Sequence, residues 1–119
     1  MILNMEANHT IIQVELIPGS SSEALAELLR EGPMTLSMKD YAHMEKFGDL
    51  GVRLPRNDQH ITTKAGDVIL SEGNLLVIYY APNTWNFTRL GRVVNMTEKE
   101  LKKVLGKGNI TATLTLENT

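Results

Sequence analysis

Few residues in this chain have the types and spacing that chemistry needs, and they fall in two stretches. The first is Pro82-Asn83-Thr84-Trp85-Asn86-Phe87, followed by Arg89, and it holds the single tryptophan. Apolar runs flank it, so it reads as a loop between two core strands, a setting where binding residues often sit on a rigid scaffold. Trp85 and Phe87, with Arg89 nearby, have the make-up of one wall of a ligand cleft. The plainer alternative is that Trp85 plugs one end of the fold. The second stretch is Tyr41 to Lys46. His43 and Glu45 lie two apart, which on a strand puts them on one face, as an acid–base pair or two metal ligands would require. No third ligand accompanies them, so the pair reads as surface side chains. Glu45 and Lys46 after Tyr41 offer polar groups for a pocket wall, against the alternative of a solvated strand edge.

Tyr79 and Tyr80 must point to opposite faces of a strand, one into the core and one free to offer its hydroxyl. The expected ligand-binding set is Glu45, Tyr80, Trp85 and Arg89. No catalytic residue, metal ligand or cofactor is assigned. His9 and His60 read as solvated, and Asp67 as a turn residue. Glycine-rich phosphate loops and nucleophile elbows are missing from the sequence. The six methionines read as core filler.

Composition narrows the function further. The chain has 119 residues and a formal charge of −2, which suits one domain with a real core and gives no electrostatic reason to expect nucleic acid. It has no cysteine, which excludes disulfides and thiolate chemistry. Its apolar runs are too short for a membrane span. The N-terminal MILNMEANHT lacks a secretory pattern, so the expected compartment is the cytoplasm, and four Asn-x-Thr triplets read as chance. The expected partner is a peptide or small molecule, with neither nucleic acid nor membrane. The sequence leaves the oligomeric state open.

The elements that must position these residues are mostly strands. Residues 1–8 read as a frayed start. His9 to Ile17 alternates, with Ile12, Val14 and Leu16 inward. Ser20 to Glu23 has the pattern of a capping box opening a helix that runs to about Arg30, with Ala24, Leu25, Leu28 and Leu29 as its apolar stripe. Met34 to Met38 is a strand, Asp40 to Leu54 a strand plus loop, and Arg56 to Lys64 a polar surface loop. The central block runs from Gly66 to Val94. In it Val68–Leu70 and Leu75–Ala81 flank the turn Glu72-Gly73-Asn74. The unbroken run from Leu75 predicts a strand covered on both faces, with Val77 and Ile78 both buried. Thr97 and Glu100 form a second capping box, with Met96 as a staple to Leu101. Asn109 to Glu117 alternates again, with Ile110, Ala112, Leu114 and Leu116 inward. The expectation is a mainly β single domain over 1–119, a closed barrel capped by two short α-helices. The strands His9–Ile17 and Asn109–Glu117 are expected to pair and seal it.

Three segments resemble a bacterial and archaeal cyclophilin-like domain, a small relative of the cyclophilin barrel. They are MTLSMKDYAHMEKFGDLGVRLP at 34–55, GDVILSEGNLLVIYY at 66–80 and LGRVVNMTEKELKKV at 90–104. The similarity runs from Ile12 onward. It implies a closed, mostly antiparallel barrel with two capping helices and, at family level, peptidyl-prolyl isomerase activity. Cyclophilins carry a Phe-His-Arg segment followed by Pro, and a later strand with Gln-x-Phe-Phe. Here Arg53-Leu54-Pro55 lacks the Phe-His, and Leu75 to Tyr80 has no Gln. The expected function is therefore a cyclophilin-like module that binds a peptide or small molecule at the barrel face without efficient isomerase activity. The alternatives are an active isomerase, or a small enzyme of another class with a pocket near Trp85.

Overall fold

The computed structural model describes residues 1–106 and 108–117. In chain order the elements are β1 (Ile2–Ala7), β2 (Thr10–Leu16), α1 (Ser20–Glu31), β3 (Met34–Tyr41) and β4 (Glu45–Asp49). They continue with β5 (Gln59–Thr62), β6 (Asp67–Ser71), β7 (Leu75–Tyr79), β8 (Thr84–Val93), α2 (Glu98–Leu105) and β9 (Ile110–Leu116). Eight strands in the order β2-β1-β9-β3-β4-β7-β6-β8 form the barrel wall, every pair antiparallel, and a β2–β8 pairing closes it. β5 pairs with the first half of β8 and lies outside the ring. None of the helices in the described residues is long and apolar enough to cross a membrane.

Local chemistry explains the tight connections. Asn8 and His9 (φ 50° and 61°) turn β1 into β2, and Glu72 and Gly73 (φ 56° and 81°) turn β6 into β7. Two successive left-handed residues twist a hairpin in the sense that its strands prefer. The seam depends on a missing side chain. Gly91 sits opposite Leu16, and a Cβ there would lie 2.4 Å from the Glu15 carbonyl oxygen. Two hydrophobic clusters result. The barrel interior holds Leu3, Met5, Ile12, Val14, Leu36, Met38, Val68, Leu70, Leu76, Ile78 and Leu114, plugged by Leu25 and Leu29 of α1 and Leu101 and Leu105 of α2. A smaller cluster of Ile69, Val77, Tyr79 and Phe87 lies on the outer side of the β4-β7-β6 wall. Val77 and Ile78 are thus both buried, one on each side, as the unbroken run predicts.

Four expectations are corrected. Residues 1–8 are not frayed, because Leu3, Met5 and Ala7 point inward and β1 pairs with two strands. The strand expected to pair with the last one does not. β1 stands between β2 and β9, so the ring gains one strand, and β2 seals against β8 instead. The polar stretch Arg56–Lys64 contains β5, a strand only because β8 offers it an edge. Finally, α1 is capped at Gly19 with no side-chain cap bond. Its serines serve tertiary contacts instead, with the Ser21 hydroxyl donating to the Pro55 carbonyl and the Ser22 hydroxyl to that of Leu90. The Thr97–Glu100 capping box of α2 is present in both directions.

Candidate functional site

The outer face of β4 and β7 carries Glu45, Phe47, Leu75, Val77 and Tyr79 in alternate positions. Solvent would strip such a face of its stabilising value. Here a ribbon made of β5 and residues 84–87 of β8 folds over it. The pairs Ile61↔Trp85 and Gln59↔Phe87 put Ile61, Trp85 and Phe87 on the same side of that ribbon. Ile61 and Phe87 pack onto the wall, and a cavity of about 550 Å³ remains beside them. Glu45, Phe47, Leu75, Val77, Tyr79, Trp85 and Phe87 line it, with Tyr41, Met44 and Glu72 at other points of its boundary.

The ribbon is tied down at its start. The Thr63 hydroxyl is buried, accepts from the Asn83 backbone N–H at 3.0 Å and donates to the Asn83 carbonyl at 3.1 Å. The Asn83 amide then donates to the Tyr79 hydroxyl at 3.1 Å. Tyr79 is the direct cross-strand partner of Glu45, so its hydroxyl and the Glu45 carboxyl share one face of the wall. Glu45 is only 8% exposed. Burial lifts its carboxyl above the ordinary glutamate range. The Tyr79 hydroxyl opposes that shift and the Asp40 charge adds to it. Burial raises the Tyr79 hydroxyl as well, opposed by the Asn83 amide and assisted by the Glu45 charge. Glu45 forms no salt bridge among the described residues.

Of the four residues expected to bind a ligand, Glu45 and Trp85 share this cavity and Tyr80 and Arg89 do not. Tyr80 faces the barrel side, where its hydroxyl donates to Asp40. Its neighbour Tyr79 takes the place in the cavity. Arg89 pairs with buried Asp67 at 3.3 Å and borders a separate hollow of about 180 Å³ beside the start of α1. Asp67, read as a turn residue, does accept from the Lys64 N–H at 2.9 Å, and it also faces Arg89 and Arg92. His43 is solvent-exposed and approaches Asp40 at 3.6 Å, so it does not act with Glu45. Lys46, read as a pocket wall or a solvated edge, is fully buried at the barrel mouth. There its ammonium meets Asp40 at 3.2 Å, the Gly108 carbonyl and the Tyr80 ring. Among the described residues no three of His, Cys, Asp and Glu are grouped to hold a metal.

The barrel order, the two plugging helices and the outer-face cavity can be set beside known proteins. The Cyclophilin-like family matches residues 5–117. The chain belongs to the cyclophilin-like family. Two solved structures share the fold. One is the hypothetical protein AF2241 from Archaeoglobus fulgidus, at 18% identity and a TM-score of 0.68, covering 95% of this chain and 92% of that one. The other is McbB in complex with tryptophan, at 16% identity and a TM-score of 0.64, covering 98% of this chain and 45% of that one. The chain thus spans a little under half the length of McbB. No curated protein matches the sequence.

Proposed function

We propose that this cyclophilin-like protein binds a small molecule or a short peptide segment in the outer-face cavity, and that it is not an efficient prolyl isomerase. One observation carries the reading. Tyr41 and Trp85, 58% and 63% exposed, are the two exposed aromatics among the large apolar side chains at the surface, and both border the cavity that holds buried Glu45. An exposed aromatic pair beside a sheltered carboxyl is costly to maintain for packing alone and well suited to gripping a ring. A volume of about 550 Å³ falls in the range of small-molecule pockets. McbB, which shares this fold over 45% of its own length, is a protein whose structure is in complex with tryptophan, and it supports the reading by analogy alone.

The isomerase alternative needs a guanidinium at the cavity to favour the twisted amide over both planar forms. Arg53, Arg56, Arg89 and Arg92 are all absent from its lining. Arg53 donates to the Glu72 carbonyl, and Arg56 pairs with Asp58. A protease-coupled assay on an X-Pro tetrapeptide should stay at background. A catalytic efficiency above about 10⁴ M⁻¹s⁻¹ would overturn this part. Ligand binding itself is tested by Trp85 fluorescence excited at 295 nm across a library of small ring-bearing compounds and peptides. Saturable change is expected for some of them, and a uniformly silent Trp85 would remove the cavity from consideration.

A further inference from the structure

The cavity has a charge preference as well as a shape. Among the described residues its lining includes two acidic side chains, Glu45 and Glu72, and no lysine, arginine or histidine. Glu45 is more than nine-tenths buried, borders the open volume and has no cationic partner among the described residues. The nearest lysine in sequence, Lys46, is turned to the other side of the wall and already holds Asp40. A buried carboxylate without a counter-ion is a costly arrangement, and a cation supplied from outside relieves it. The aromatic faces of Tyr41 and Trp85 add to that preference, because ring faces are electron-rich and attract an ammonium. An anion would meet repulsion from both glutamates, and a neutral ligand would leave Glu45 uncompensated.

Resting on the cavity proposed above, we infer that its ligand carries an ammonium group close to an aromatic ring, with Glu45 as the counter-ion and Trp85 and Tyr41 against the ring. Such a group occurs in a free arylalkylamine and in a lysine side chain next to an aromatic residue of a peptide. The Tyr79 hydroxyl, held by the Asn83 amide, stands beside Glu45 on the same wall and leaves the carboxyl facing the cavity. No bond is made or broken: the step is an ion-pair formation inside a sheltered cavity.

The test compares phenethylamine, 2-phenylethanol and phenylacetate, three probes of one shape and three charges. Acetyl-Phe-Lys-amide serves as the peptide source. Each is titrated into the full-length protein at pH 7.5 with Trp85 fluorescence as the readout and calorimetry as the check. Phenethylamine or the peptide should bind about tenfold or more tightly than 2-phenylethanol, with phenylacetate weakest. Which of the two cations binds better identifies the source. In Glu45→Gln, verified as folded by its melt, the advantage of the cation should fall to about threefold or less. Equal binding of amine and alcohol, or an advantage that survives Glu45→Gln, overturns the charge inference while leaving the cavity a ligand site. If none of the four probes binds, the inference is overturned as well. The wider library of the preceding section, which includes neutral and anionic rings, then decides the cavity separately.

Discussion

Glu45 and Lys46 are neighbours in sequence and end on opposite sides of one wall, because successive strand residues alternate. Their environments differ accordingly. Glu45 has a folded titration point raised by burial above its ordinary value of 4.5. A carboxyl of that kind binds its proton more tightly folded than unfolded. Its stabilising contribution is complete below the ordinary value and disappears as pH rises through the raised one. Glu45→Gln should therefore melt at about the wild-type temperature near pH 4 and at a higher temperature near pH 7.5. Equal melting temperatures at both would mean that the carboxylate finds water or a partner. Such a gain in stability on removing a charged group is typical of a site arranged for binding. Lys46 behaves differently, since its partner Asp40 is present. Burial pushes Asp40 upward, but bonds from Tyr80 and Lys46 outweigh it and hold Asp40 below the usual aspartate range. That contribution is present at neutral pH and is lost as pH falls through the lowered value. Asp40→Asn would strand a buried ammonium. Denaturant melts should show a loss of about 3 kcal/mol, the low end for breaking a buried pair, because Asp40 reaches solvent in part.

At the level of elements, the barrel depends on two joints between strands. The β2–β8 seam closes at Gly91, where any side chain meets the Glu15 carbonyl. Gly91→Ala must push the strands apart. It should cost about 1–3 kcal/mol or more, read as a lower denaturation midpoint. A neutral result would mean that the seam is looser than it looks. The opposite joint is β1 between β2 and β9. Deleting Ile110–Thr119 should abolish cooperative unfolding, and so should deleting residues 1–8, which bury Leu3 and Met5 completely. A chain lacking residues 1–8 that keeps a sharp melt would show β1 to be dispensable, and one lacking Ile110–Thr119 would show the same of β9. In the doubly covered β7, Val77→Ala and Ile78→Ala should each cost about 1–4 kcal/mol by leaving a cavity.

Across the whole molecule, the stabilising core and the proposed binding cavity separate in space. The interior cluster and its two helix plugs hold the barrel, whereas the outer cluster and the β5–β8 ribbon form the cavity. Trp85 belongs to the second region and is largely exposed. Trp85→Ala should shift stability by no more than about 0.5 kcal/mol and yet weaken ligand binding measured by calorimetry. A large loss of stability with binding retained would make Trp85 a packing residue. Arg89→Ala, which touches Asp67 and not the cavity, should leave ligand affinity unchanged.

What the sequence by itself determined is what local pattern encodes. Alternation in Ile110–Leu116, the unbroken run at Leu75–Tyr79 and the Thr97–Glu100 box each follow from neighbours within a few residues, and each is found in the structure. The mainly β barrel with two helices followed from counting such pieces. The strand Ile2–Ala7 was legible too, in the alternation of Leu3, Met5 and Ala7 ahead of a turn-prone Asn8, but its position at the chain start disguised it. The tertiary structure alone decided which polar groups meet. Trp85 and Arg89 are four residues apart and serve different hollows, because β8 leaves the ribbon and joins the ring between them. Tyr79, not Tyr80, joins Glu45, since a shift of one residue along a strand exchanges its faces. Sequence spacing states that two faces differ. Only the register of β4 against β7, and the ribbon laid over them, states which face is roofed and able to hold a ligand.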